Sequence, residues 1–170
     1  MRHAAAIVFM LLSAVLAGQK AESNVTFADY RNLILTVKKD AMKATGKLTS
    51  GELLSVGCEQ NVCFFEIEYK DRKLRQPVGD DITRLTISEF DFNSDGDLEL
   101  VVINDYRGTS FLYVFSYSRG IIMKLFEKEI KYDRIVIRSD YIEHHLPTGM
   151  DTVWHYYQGG FWTMTPYSLP

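Results

Sequence analysis

The sequence of 170 residues contains two cysteines and four prolines, and the motifs that usually announce chemistry are missing from it. It has no glycine-rich phosphate loop, no His-Glu-x-x-His and no Gly-x-Ser-x-Gly elbow. Serine, histidine and aspartate all occur, as they would in any chain of this size, so no catalytic residue is assigned and no enzyme is expected. His144, His145 and His155 lie near Glu143 and Asp151 in sequence. On a strand, His144 and His145 would point to opposite faces, so a zinc trio is not expected. Nor is there an excess of positive charge: the formal net charge is −3, which argues against nucleic acid and anionic membrane as partners.

The longest apolar run, Ala4 to Leu16, follows Arg2 and His3. It is too short to span a bilayer and ends in small residues, the pattern of a cleaved leader. Val15-Leu16-Ala17 fits a signal-peptidase site, so residues 1–17 are read as a signal peptide and residues 18–170 as a single globular domain without a membrane span. Losing the leader removes Arg2 and leaves 18 Lys+Arg against 22 Asp+Glu, one positive charge fewer than in the full chain. A periplasmic or secreted location follows, and with it a prediction for the cysteines. Cys58 and Cys63 flank a hairpin-sized Glu-Gln-Asn-Val loop and should form a disulfide in an oxidising compartment.

The remaining composition, 46% hydrophobic and 24% charged, suits one domain with a real core. A helix is expected over about residues 27–45. Thr26-Phe-Ala-Asp29 has the spacing of a capping box, and Phe27, Tyr30, Ile34, Val37, Ala41 and Ala44 recur at steps of three and four. Gly46 would end it. From about 52 to 166 the pattern changes to strands: Phe65, Ile67 and Tyr69 alternate with Glu66, Glu68 and Lys70, and Phe111, Tyr113, Phe115 and Tyr117 share one face. The polar stretch 71–81 reads as a connection or a weak edge. Asp151 to Tyr157, Gly159-Gly160 and Phe161 to Thr165 read as a closing hairpin. The expected fold is therefore α+β and mostly β, an N-terminal helix packed on an antiparallel meander.

The most informative stretch is Asp91-Phe-Asn93-Ser-Asp95-Gly96-Asp97-Leu-Glu99-Leu100. Oxygen-bearing side chains at alternate positions with a glycine bend meet the needs of a hard cation, and calcium is the expected ion. Asp91, Asn93 and Asp95 would bind through side chains, Asp97 through its backbone carbonyl, and Glu99 through its carboxylate, directly or by water. An EF-hand is excluded, because its twelfth position is Val102 and the flanks are rich in β-branched residues. The stretch resembles the calcium loop of FG-GAP repeats, the blades of integrin-type propellers, in Asp91, Asn93, Asp95, Gly96, Glu99 and Leu100. The resemblance implies a calcium ion held between two strands of a blade-like meander. It covers about ten residues; the family's Phe-Gly and Gly-Ala-Pro signatures and any internal repeat are missing.

Trp154, Tyr156, Tyr157, Phe161 and Trp162 crowd the last hairpin, and alternation cannot bury them all on one face. They form a candidate binding patch for a protein or a carbohydrate. The expected function is a calcium-stabilised recognition module outside the cytoplasm; the alternative is a periplasmic inhibitor or immunity-type protein that blocks a partner enzyme. Two measurements check the export reading. The intact mass of the native protein should correspond to a chain starting near Gly18, and denatured, non-reduced protein should take up no thiol label. A retained Met1 or two labelled cysteines would overturn it.

Overall fold

The computed structural model describes residues 24–39, 43–149 and 151–163, Asp151 through its backbone alone. Their regular structure is entirely β: fourteen strands in three sheets. The clip sheet is a meander of β3 (Ala44–Lys47), β4 (Leu53–Glu59), β5 (Val62–Tyr69) and β6 (Arg72–Gly79). The central sheet runs in the order β10 (Ile121–Ile130), β9 (Thr109–Ser118), β8 (Glu99–Tyr106), β7 (Arg84–Phe90) and β2 (Asn32–Lys38). The aromatic sheet runs β1 (Val25–Phe27), β11 (Arg134–Ile137), β12 (Tyr141–His145), β13 (Asp151–Tyr157) and β14 (Gly160–Thr163). Every pairing is antiparallel except β1 with β11.

Alternation along the strands explains the layering. In β8, Leu100 and Val102 join Leu54, Val56, Phe65 and Ile67 of the clip sheet in one core, while Val101 and Ile103 join Ile135, Ile137 and Ile142 of the aromatic sheet in a second. The inner strands β7, β8 and β9 are thus buried on both faces, and the central sheet forms the middle layer. That is why β8 and the middle of β9 read as nearly continuous apolar runs although they are antiparallel. Each sheet contains a four-stranded antiparallel meander, β3–β6, β7–β10 and β11–β14. The repeat lies in the topology and leaves no trace in the residues.

The expected helix is not there. Residues 27–45 supply the end of β1, all of β2 and the start of β3, so the chain is all-β where it is described, not α+β. The segment fits two periods. Leu33, Leu35 and Val37 alternate as well as Phe27, Tyr30, Ile34 and Val37 step by three and four, and partners distant in sequence decide between them. β2 pairs with β7 and buries Leu35 and Val37, whereas Tyr30, expected in the core, is 88% exposed. A register shift between Leu33 and Leu35 turns Ile34 toward β3, where a Cβ on Gly46 would meet its Cγ2 at 2.6 Å. Gly46 is therefore a close-approach residue within a strand, not a helix stop. The capping-box residues serve elsewhere: Thr26 donates to the Ile135 carbonyl (3.3 Å) and Asp29 accepts from the Ser139 backbone N–H (2.9 Å). Ala41, the leader and Thr165 lie outside the described residues.

The disulfide is present. Cys58 and Cys63 are directly opposed in the β4–β5 hairpin, with Cα atoms 4.0 Å apart and sulfurs bonded at 2.06 Å. Between them Gln60 and Asn61 both have positive φ, 50° and 68°, which makes a primed two-residue turn that matches the twist of the strands. Residues 72–79 form the edge strand β6, with Lys73 and Arg75 bonded to Glu66 on the outer face.

Packing of β2 yields a prediction. Val37 is 1% exposed and Val37→Asp would bury an unpaired carboxylate, costing on the order of 3 kcal/mol or more. Tyr30→Asp and Lys39→Asp should each stay within about 0.5 kcal/mol, as surface changes do. Urea unfolding of the three variants checks this; a Val37→Asp variant as stable as the other two would overturn the packing of β2.

Candidate metal centre

Loop 91–98 joins β7 to β8, neighbouring strands of the central sheet. Its carboxylates organise its own backbone. The Asp91 side chain accepts from the N–H groups of Asp95 (3.2 Å) and Gly96 (3.0 Å), and the Asp95 side chain accepts from Asp97 (2.8 Å). The Asn93 amide donates to the other Asp95 oxygen at 2.6 Å. Ser94 and Gly96 take positive φ, 57° and 89°, so the bend expected at Gly96 is shared with its neighbour. Asn93, Asp95 and Asp97 are exposed, Asp91 is half-buried and Glu99 is buried.

The donor set suits a hard cation: every group is an oxygen, and three side chains plus the Asp97 carbonyl belong to one short turn. As arranged here the carboxylates are spread along the turn, and among the described residues no three His, Cys, Asp or Glu side chains converge as a metal site. The residues fit calcium in kind and in order.

Glu99 has a place that the spacing did not foretell. Its side chain turns into the core shared with the aromatic sheet, where Oε1 accepts from the Tyr156 hydroxyl (2.8 Å) and Oε2 from the Phe92 N–H (3.3 Å). Burial pushes its carboxyl above the ordinary glutamate value, against the pull of those hydrogen bonds and with a further push from Asp95. Burial and the adjoining Glu99 likewise raise the Tyr156 phenol. The ring of Phe92, inside the loop, is fully buried and packs on Tyr156 (5.7 Å between centroids) and edge-on to Phe161 (4.9 Å). The loop and the last hairpin are therefore one packed unit.

That hairpin divides as alternation requires. Trp154, Tyr156 and Phe161 face the core, while Tyr157 and Trp162 remain more than 60% exposed on the outer face. The five aromatics are not a single patch. Its turn, Gln158-Gly159, has φ of 49° and 75°.

The histidines part as expected. His144 is buried, 2.5 Å from Asp133 and stacked on Trp154, whereas His145 meets Glu143 (3.2 Å) on the other face. His155 pairs with Tyr141 and Trp162 on that outer face.

One residue escaped the sequence reading. Glu89 is 4% exposed, accepting from Asn32 (2.8 Å) and from the backbone (2.9 Å) and hydroxyl (2.5 Å) of Thr49. With Tyr30 and Asp91 it lines a shallow cavity of about 390 Å3 beside the loop. No contiguous motif joins these residues, so nothing in the sequence could mark it.

No protein-family model matches the chain, and no curated protein or solved structure matches it. Among the described residues no helix is long and apolar enough to cross a membrane.

The position of Glu99 sets a sign for its pH dependence. A carboxyl raised in the folded state stabilises below its unfolded value, about 4.5, and that contribution is lost as pH rises through the folded value. Without calcium, the melting temperature of the wild type relative to Glu99→Gln should fall as pH rises from about 4.5 to about 8. A cation bound at the loop would favour the carboxylate and flatten or reverse that slope. Thermal melts of both proteins across pH, with calcium and with chelator, check the prediction.

Proposed function

We propose that this protein is a calcium-binding recognition domain that acts outside the cytoplasm and is not an enzyme. One observation carries the reading: Glu99, at the inner end of the candidate ion loop, is bonded to Tyr156 of the aromatic hairpin, and Phe92 of the same loop packs on that hairpin. An ion held by the loop would thus steady the sheet that presents exposed aromatic rings. Asp91, Asn93 and Asp95 would hold it through side chains, Asp97 through its carbonyl, and Glu99 through its carboxylate, directly or by water. All of these but Asp97 fall on the positions of the FG-GAP resemblance. The ion would offset the mutual repulsion of the loop carboxylates.

The Cys58–Cys63 disulfide supports an oxidising compartment, where calcium is also abundant enough to fill modest sites. Binding to the folded state alone stabilises by about 2.7 kcal/mol at a hundredfold excess over Kd. The melting temperature should rise with calcium, fall with chelator and respond less to magnesium, which prefers a tight octahedron and keeps its waters. Asp95→Ala should abolish the response. Asp91→Ala should do so too, and should also loosen the apo loop, since Asp91 accepts from the N–H groups of Asn93, Asp95 and Gly96. Asp97→Ala should weaken the response only modestly. An unchanged melting curve at millimolar calcium, with no ion in native mass spectrometry, would overturn the reading.

A further inference from the structure

Trp162 is 64% exposed, yet it is held in place. Its indole N–H donates to the Tyr157 carbonyl at 3.3 Å. The ring leans back over Gly160, where a Cβ would lie 3.3 Å from Nε1. Glycine beneath and a hydrogen bond at its edge fix a large apolar ring against solvent. Ordering it in advance removes an entropy cost that a ligand would otherwise meet. The same face continues across the strands, because register places Trp162 opposite His155 and His155 opposite Tyr141. Neighbouring strands lie about 4.8 Å apart, so the three residues form a row about 10 Å long across the sheet, with the Tyr141 and His155 ring centroids 5.6 Å apart. Tyr157 lies beside it, 62% exposed, with its hydroxyl accepting from Gln158 (3.3 Å).

We propose that this outer face is a carbohydrate-binding surface, with Trp162 as the ring on which a neutral sugar stacks. The proposal rests on the recognition reading above and gives it a ligand class. A sugar ring offers an apolar C–H face to the indole and a rim of hydroxyls to neighbouring polar groups, and the row alternates rings with ring nitrogens and hydroxyls in that way. Charge does not oppose a neutral ligand: Glu143, two residues from Tyr141, is met by His145 (3.2 Å) and by Arg138 (2.9 Å), whose guanidinium also lies over the Tyr141 ring (5.9 Å). Among the described residues of the aromatic sheet, the exposed large apolar side chains are Tyr157 and Trp162 alone. Among the described residues the aliphatic side chain on this face beside them, Val153, is half-buried, so no exposed aliphatic surface of the kind that builds a dry protein interface adjoins the rings.

The test uses soluble hexasaccharides of glucose, mannose, xylose and N-acetylglucosamine as probes of the calcium-loaded protein. Calorimetry and intrinsic fluorescence give the readout, since both tryptophans of the chain lie in this sheet. At least one probe should bind. Trp162→Ala should weaken it at least about tenfold without lowering the melting temperature. Gly160→Ala, which lifts the indole but keeps it, should weaken it several-fold, and Trp154→Phe on the inner face should leave it unchanged.

No binding by any of the probes, or equal binding by Trp162→Ala, overturns the proposal. So does a Trp162-dependent contact that proves to be self-association or a protein partner, in which case recognition survives and the sugar does not. Sugar binding that persists in chelator, on a protein whose melting ignores calcium, supports this face and overturns the ion reading alone.

Discussion

The burial of the inner strands of the central sheet on both faces is the constraint on which the rest of the molecule depends. Alternate residues of β7, β8 and β9 feed two different cores, so each of these strands must satisfy two partners at once. Fully burying a valine, leucine or isoleucine contributes about 1.5–3 kcal/mol, and β8 alone places Leu100, Val101, Val102 and Ile103 in this way. A one-residue slip would exchange the two faces. Asn104 holds the register at the far end of β8: it is 1% exposed and donates to the carbonyls of Val78 (2.9 Å) and Asp81 (3.1 Å). Gly79 makes room for that amide, since its φ is +132° and a Cβ would stand 2.8 Å from the Asn104 nitrogen.

The near end of the same strand carries the loop. Because β7 and β8 cannot shift, the loop between them is anchored at both sides, and Phe92 and Glu99 point into the core that the central and aromatic sheets share. Burying a carboxylate there costs free energy unless it is hydrogen-bonded, and the Tyr156 hydroxyl and the Phe92 N–H supply those bonds. This joins a polar, exposed turn to an aromatic hairpin more than fifty residues later in the chain. Alternation then carries the link outward, since Tyr156 and Phe161 face in while Tyr157 and Trp162 face out. The proposed coupling of an ion to a recognition surface would run through these few side chains.

What could be read from residues alone was local. The cysteine spacing pointed to a hairpin clip, the alternation at 65–69 and 111–117 marked strands, and the last hairpin was legible from Gly159-Gly160, although its turn is Gln158-Gly159, one residue earlier, with Gly160 opening β14. The oxygen ladder at 91–99 stood out for the same reason, since a loop of that kind is specified within ten residues, and the structure places it as the β7–β8 connection. Only tertiary structure decided residues 27–45. There the helical and strand periods both fit, and the pairing of β2 with β7, some fifty residues away in sequence, settled it. The three-layer stack, the inward turn of Glu99, the cavity beside Glu89 and the fixing of Trp162 over Gly160 were likewise tertiary. Each depends on which distant strand lies opposite, and a chain's own periodicity determines which face is apolar but not what covers it.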